Sequence, residues 1–110
     1  MNLPSSIRFF DKSTKEAFYR LENGDDSERQ LFCIINKAMD NIEKDAFCGI
    51  QIPKRLIPSE YFRKGVKNLW KYNLPGSWRL MYSILNEEII VVSVILEWLD
   101  HKEYERRFKY

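Results

Sequence analysis

The sequence predicts an α+β fold in one domain spanning residues 1–110. The expected order is β-α-α-β-β-β: an N-terminal strand and a helical hairpin packed on an antiparallel sheet, closed by a short C-terminal helix. Two observations carry this. Apolar residues recur at the helical period in the first half of the chain, up to Ile42. In the second half, WRLMYSILNEEIIVVSVILEWL (78–99) splits at Asn86, Glu87 and Glu88 into two Ile- and Val-rich runs. Each run is too short to span a bilayer, which takes about 20 apolar residues. A run of helices followed by a run of strands indicates α+β rather than an alternating fold.

Ile7 to Phe10 is a short candidate strand. In DKSTKEAFYRLENG, Ser13 and Glu16 form a capping box, and Ala17, Phe18 and Leu21 give a narrow apolar stripe. Asn23-Gly24 supplies the stop. A longer helix starts at Asp25 or Asp26, with Leu31, Ile34, Ile35, Ala38, Met39 and Ile42 on its apolar face. The short link between the two predicts a hairpin. FCGIQIPKRLIPSEYF, with Gly49, Pro53 and Pro58, reads as irregular or loosely extended chain. Leu69 to Leu74 reads as a strand, ended by a tight turn at Pro75-Gly76. Strands Trp78–Leu85 and Ile89–Leu99 follow, then a short helix starting at Asp100. The last strand is apolar on both faces, so it belongs in the middle of the sheet, with the first strand as its second neighbour.

The chain is 45% hydrophobic and 31% charged, a globular composition that can bury one core without staples. Cys33 and Cys48 lack metal-ligand spacing and read as free thiols. MNLPSSIRFF has no long apolar run of the signal-peptide kind, so a cytoplasmic location is expected, with no membrane partner. The formal charge of +2 is unevenly spread. Residues 51–82 carry Lys54, Arg55, Arg63, Lys64, Lys67, Lys71 and Arg79 against Glu60 alone, a net +6, while each flank is −2. Such a segment forms either a localised anion-binding face or a scatter of solvated side chains.

Strand alternation sends Leu80, Tyr82 and Ile84 under the helices and Arg79 to the opposite face. His101 and Tyr104 share a side of the last helix. Because the turn joining the last two strands lies at their other ends, Arg79 and His101 come to the same end of the sheet. Those groups suit phosphodiester cleavage by an RNA 2′-hydroxyl. Arg79 fits a phosphate bidentately, and His101 titrates near neutrality as an acid or base. Tyr104 can donate a hydrogen bond or stack on a base. Glu97 and Asp100 are candidate bases or orienters of His101. A purely structural role is also open to each: His101 as a surface residue, Tyr104 packed on Trp98, Arg79 paired with Glu97. One His and no ligand cluster give no metal site, and no cofactor is expected.

The stretch NLWKYNLPGSWRLMYSI…EEIIVVSVILEWLDHKEYERRF resembles the RelE/ParE toxin superfamily, most of all its RelE-like mRNA interferase branch. The Arg-Leu-x-Tyr at Arg79 and the His-x-x-Tyr at His101 are the most specific parts. The resemblance implies a curved antiparallel sheet with a helical hairpin on one face. It implies the toxin of a type II toxin–antitoxin system: an endoribonuclease that cuts message on the ribosome without metal and is silenced by an antitoxin. Arg79 would match the phosphate-holding arginine, Tyr104 the terminal tyrosine, and His101 a histidine that several members carry nearby, with Glu97 as a further catalytic candidate. Lys54, Arg55, Lys64, Lys67 and Lys71 would bind RNA. The expected assemblies are a homo-oligomer or a toxin–antitoxin hetero-oligomer, with Phe62, Trp70 or Phe108 as apolar surface for an antitoxin helix. The chain departs from the pattern where Trp70 and Tyr72 flank a single Lys71, and where the last strand ends in the acidic EWLD. ParE-like members share the fold but inhibit DNA gyrase without nuclease residues, and a divergent member that has lost toxicity is a further alternative, so the fold alone does not choose.

Overall fold

The computed structural model describes residues 2–87 and 90–109. Its elements are β1 (Ser6–Phe9), α1 (Lys12–Leu21), α2 (Asp26–Lys44), β2 (Ile50–Gln51), α3 (Ser59–Arg63), β3 (Trp70–Asn73), β4 (Arg79–Asn86), β5 (Val91–Leu99) and α4 (His101–Phe108). Single 3-10 turns occupy Ala46–Cys48, Lys54–Leu56 and Pro75–Ser77. The strands form one sheet in the order β1-β5-β4-β3-β2. β5 is therefore interior, as its two apolar faces require. β1 joins it in parallel, Ser6 opposite Val92, whereas the pairings of β5 with β4, β4 with β3 and β3 with β2 are antiparallel. The chain between β1 and β5, running from Phe10 through the hairpin, β2, α3, β3 and β4, supplies the long connection that a parallel neighbour needs. Ile89, the expected start of the last strand, lies outside the described residues, as does Glu88 of the turn.

Caps decide where the helices begin. Helix α1 is capped by Asp11, not Ser13: the Asp11 carboxylate accepts from the Thr14 backbone N–H at 2.8 Å and its hydroxyl at 2.7 Å. A charged acceptor two residues upstream of Ser13 takes the N-terminal donors, and Glu16 lies beside Lys12 instead. Asp25 caps α2 in a reciprocal box with Glu28. Leu31, Ile35, Ala38, Met39 and Ile42 are buried, while Ile34 sits at the margin.

The hairpin covers one face of the sheet. Phe18 stacks on Phe32 of α2 at 4.5 Å, and both helices pack on Leu80, Tyr82 and Ile95, with Ile84 at the edge. This is the face expected for Leu80, Tyr82 and Ile84. Tyr82 also fixes the chain leaving α2: its hydroxyl donates to the Ala46 carbonyl at 2.7 Å and accepts from the Gly49 N–H at 3.1 Å. Gly49 passes so close that a Cβ there would lie 2.6 Å from the Tyr82 hydroxyl and from the Lys71 carbonyl.

The opposite face is also buried. Ile52, Ile57, Tyr61, Val66 and Leu69 close over Met81, Val92, Val94, Leu96 and Leu99, and Tyr104 of α4 completes this second cluster. Each fully buried Leu or Ile contributes roughly 1.5–3 kcal/mol, enough to hold a mostly irregular segment against the sheet. A bulge shapes this face: Met81 lies opposite Glu97, but Tyr82 lies opposite Ile95. Strict alternation would put Glu97 beside Ile95 under the hairpin. The extra residue turns Glu97 toward Tyr61 instead.

Candidate functional site

Arg79 and Lys71 meet at Tyr104. Asn73 pairs with Arg79 and Lys71 with Met81, so β3 and β4 send both cations to the face away from the hairpin, while Trp70 and Tyr72 pack on the hairpin side. The start of β4 lies opposite Leu99, just before α4, which brings Arg79 and α4 to the same end of the sheet. Asp100 caps α4 in a reciprocal box with Glu103, and this fixes the helix so that Tyr104 turns inward. The Tyr104 ring is 3% exposed and stacks on Phe108 at 4.5 Å. The Arg79 guanidinium lies 4.9 Å from its ring centre and the Lys71 ammonium 5.1 Å. Lys71 Nζ also donates to the Tyr104 hydroxyl at 3.2 Å. Arg79 Nη1 donates to the Ser77 carbonyl, and its buried Nε has no acceptor among the described residues.

The other candidates lie apart from this cluster. His101 Nε2 pairs with Glu105 one turn along α4, and its side chain is 60% exposed. Asp100 is engaged as the cap of α4. Glu97 accepts from Arg107 at 2.9 Å and from the Tyr61 hydroxyl, and Arg107 continues to Glu60 on α3. The structure thus gives Glu97 neither Arg79 nor His101 as an ion-pair partner. Burial, then the Glu97 carboxylate, pushes the Tyr61 phenol well above its ordinary value. Burial opposes the Arg107 charge, but Glu97 and Glu60 more than offset it and its pKa is raised.

Lys54, Arg55, Lys64 and Lys67 are exposed on the segment that covers the second face, whereas Lys71 is half-buried in the Tyr104 cluster. Phe62 is 41% exposed, while Trp70 and Phe108 are largely packed. The Glu60–Arg107–Glu97–Tyr61 network escaped sequence reasoning. Its only sequence signal is the i,i+3 spacing of Tyr104 and Arg107, which puts both on one side of α4. Among the described residues, no group of three His, Cys, Asp or Glu side chains could hold a metal ion, and no helix is long and apolar enough to cross a membrane. A scan of protein-family models and searches of curated proteins and solved structures return no match to this chain.

Proposed function

We propose that this chain is a cytoplasmic toxin of a toxin–antitoxin pair and acts as a RelE-like mRNA interferase on the ribosome. The observation that carries this reading is the convergence of Arg79 and Lys71 on Tyr104. Two cations at one tyrosine suit a phosphate whose charge grows as the 2′-hydroxyl attacks and the 5′-oxygen leaves. The Arg79 guanidinium, with an unpaired Nε, would bind the phosphate oxygens, and Lys71 would add charge beside the Tyr104 hydroxyl. His101, on the exposed side of the same helix, would exchange Glu105 for substrate to move a proton. The exposed Phe62 offers apolar surface to an antitoxin helix.

A second reading, a ParE-like inhibitor that cuts nothing, is favoured by one observation: His101 and Glu97 are both paired away from Arg79. Single-turnover cleavage of message on programmed ribosomes separates the two. For the nuclease, Arg79→Ala lowers the cleavage rate by about 10²–10³ with a much smaller loss of ribosome affinity. His101→Ala lowers it by about 10²–10⁴ and alters its pH profile. Wild-type protein that arrests growth without cutting message contradicts the nuclease reading and supports the inhibitor.

A further inference from the structure

A cleft lies on the hairpin side of the sheet, at the far end of β4 from Arg79. It encloses about 410 Å³ and is lined by Phe47, Gln51, Asn68, Trp70, Ile84 and Asn86, among others. Its aromatic wall is a ladder: Phe47 stacks on Trp70 at 5.4 Å and Trp70 on Tyr82 at 6.2 Å. The ladder is anchored at its buried end, since Tyr82 is fully enclosed. Its outer rung is open, with Phe47 48% exposed. The Asn68 carboxamide is locked onto the Ile84 backbone at 2.8 and 2.9 Å. The carboxamides of Gln51 and Asn86 have no hydrogen-bond partner among the described residues.

We infer that this cleft is a subsite for an unpaired nucleobase of single-stranded RNA. A rigid aromatic ladder with an open outer rung stacks any base. An uncommitted carboxamide offers a donor and an acceptor side by side, the pattern that pairs with the edge of a base such as adenine. One nearby cation can meet the RNA backbone. Lys67, next to Asn68, is exposed and in no ion pair among the described residues. Of the described acidic neighbours, Glu87 is paired with Arg8, whereas Asp45, whose Oδ1 accepts from the backbone N–H groups of Leu3 and Phe47, keeps its charge. Asn86 is seven residues along β4 from Arg79, about 23 Å at the usual strand rise, so this base belongs to a different stretch of RNA from the scissile phosphate. The inference rests on the proposed action on RNA, but not on cleavage.

The test is calorimetric titration of the purified protein with hexa-adenylate and with the corresponding abasic hexamer. Wild type should bind the base-bearing RNA at least about tenfold more tightly than the abasic chain. Phe47→Ala and Phe47→Leu should each remove most of that preference while leaving abasic affinity unchanged, and the unchanged value reports an intact fold. Equal wild-type affinity for the two hexamers overturns the proposal. So does a preference that survives in Phe47→Leu, or a loss shared equally by both ligands in both variants. Dependence on Phe47 for a tryptophan-bearing peptide, with none for RNA, assigns the cleft to a protein partner and also overturns it. Message cleavage by wild type is measured in parallel. Base-dependent binding without cleavage leaves the cleft assignment standing and removes the nuclease reading, and cleavage without base-dependent binding does the reverse.

Discussion

Tyr61 and Tyr82 place two phenols in the interior with different partners. Tyr82 satisfies two backbone groups beyond α2, and Tyr61 donates to the Glu97 carboxylate. Burial is the largest cause holding both pKa values above the ordinary phenol range, and Glu97 adds to it for Tyr61. In the unfolded chain both ionise near pH ~10. A pKa raised by folding gives stability that is fully present below the unfolded value and is lost as pH rises past it. Each phenol should therefore add a slope of about 1.4 kcal/mol per pH unit above pH ~10. Urea unfolding at about pH 9 and about pH 11, on either side of that value, checks this. Tyr61→Phe, which has no proton to lose there, should lose less stability between the two than wild type. An unchanged difference would show that Tyr61 ionises in the folded state. The same residues show what the sequence conceals. Alternation places Tyr82 under the helices, but neither its hydroxyl partners nor the turning of Glu97 by the bulge follows from spacing. Both depend on where distant segments cross.

Legibility among the elements follows length and capping chemistry. Helix α2 and the strands β4 and β5 are readable because their apolar periods run long enough to be distinguished. β2, with two residues, and α3, with five, complete no period, so their segment reads as irregular. The true cap of α1 is not legible because Asp11 and Ser13 both make plausible caps, and only the backbone decides between them. What holds α4 in place is also a tertiary matter. Arg107 bridges Glu97 on β5 and Glu60 on α3, while Tyr104 and Phe108 insert into the second core. Arg107→Ala should cost about 1–3 kcal/mol, the usual range for losing charged hydrogen bonds in a partly buried site. Amide exchange should quicken in α3 and α4 before it does in β5. Arg107→Lys should restore only part of the loss, since a lysine lacks the planar fork that reaches two carboxylates. Full restoration by lysine would mean that charge alone, not the bridge, fastens the helix.

Across the whole molecule, the sheet separates two jobs. The hairpin fills one face; on the other Arg79 and Lys71 converge on Tyr104, while Lys54, Arg55, Lys64 and Lys67 are exposed along the covering segment, with Lys67 next to the cleft at the far end of β4. The charge count along the sequence marks this stretch as basic. It gives no warning that the face is roofed, because Ile52, Ile57, Tyr61 and Val66 follow neither a helical nor a strand period. The roof separates the two sets of cations physically: the exposed lysines meet solvent, while Arg79 and Lys71 are held against a buried ring. If the chain acts on RNA, the outer set should govern attraction and the inner set chemistry. Lys64→Gln with Lys67→Gln should weaken ribosome or RNA binding and make it less sensitive to salt. For single strands the log–log slope should flatten by about 0.7 for each phosphate no longer neutralised. At saturating ribosomes the single-turnover cleavage rate should stay near wild type, unlike that of Arg79→Ala. A rate loss as deep as that of Arg79→Ala would put these lysines in the chemical step. An unchanged salt slope would leave the exposed charges with no part in binding RNA, and the basic middle segment would then be only a solvated face.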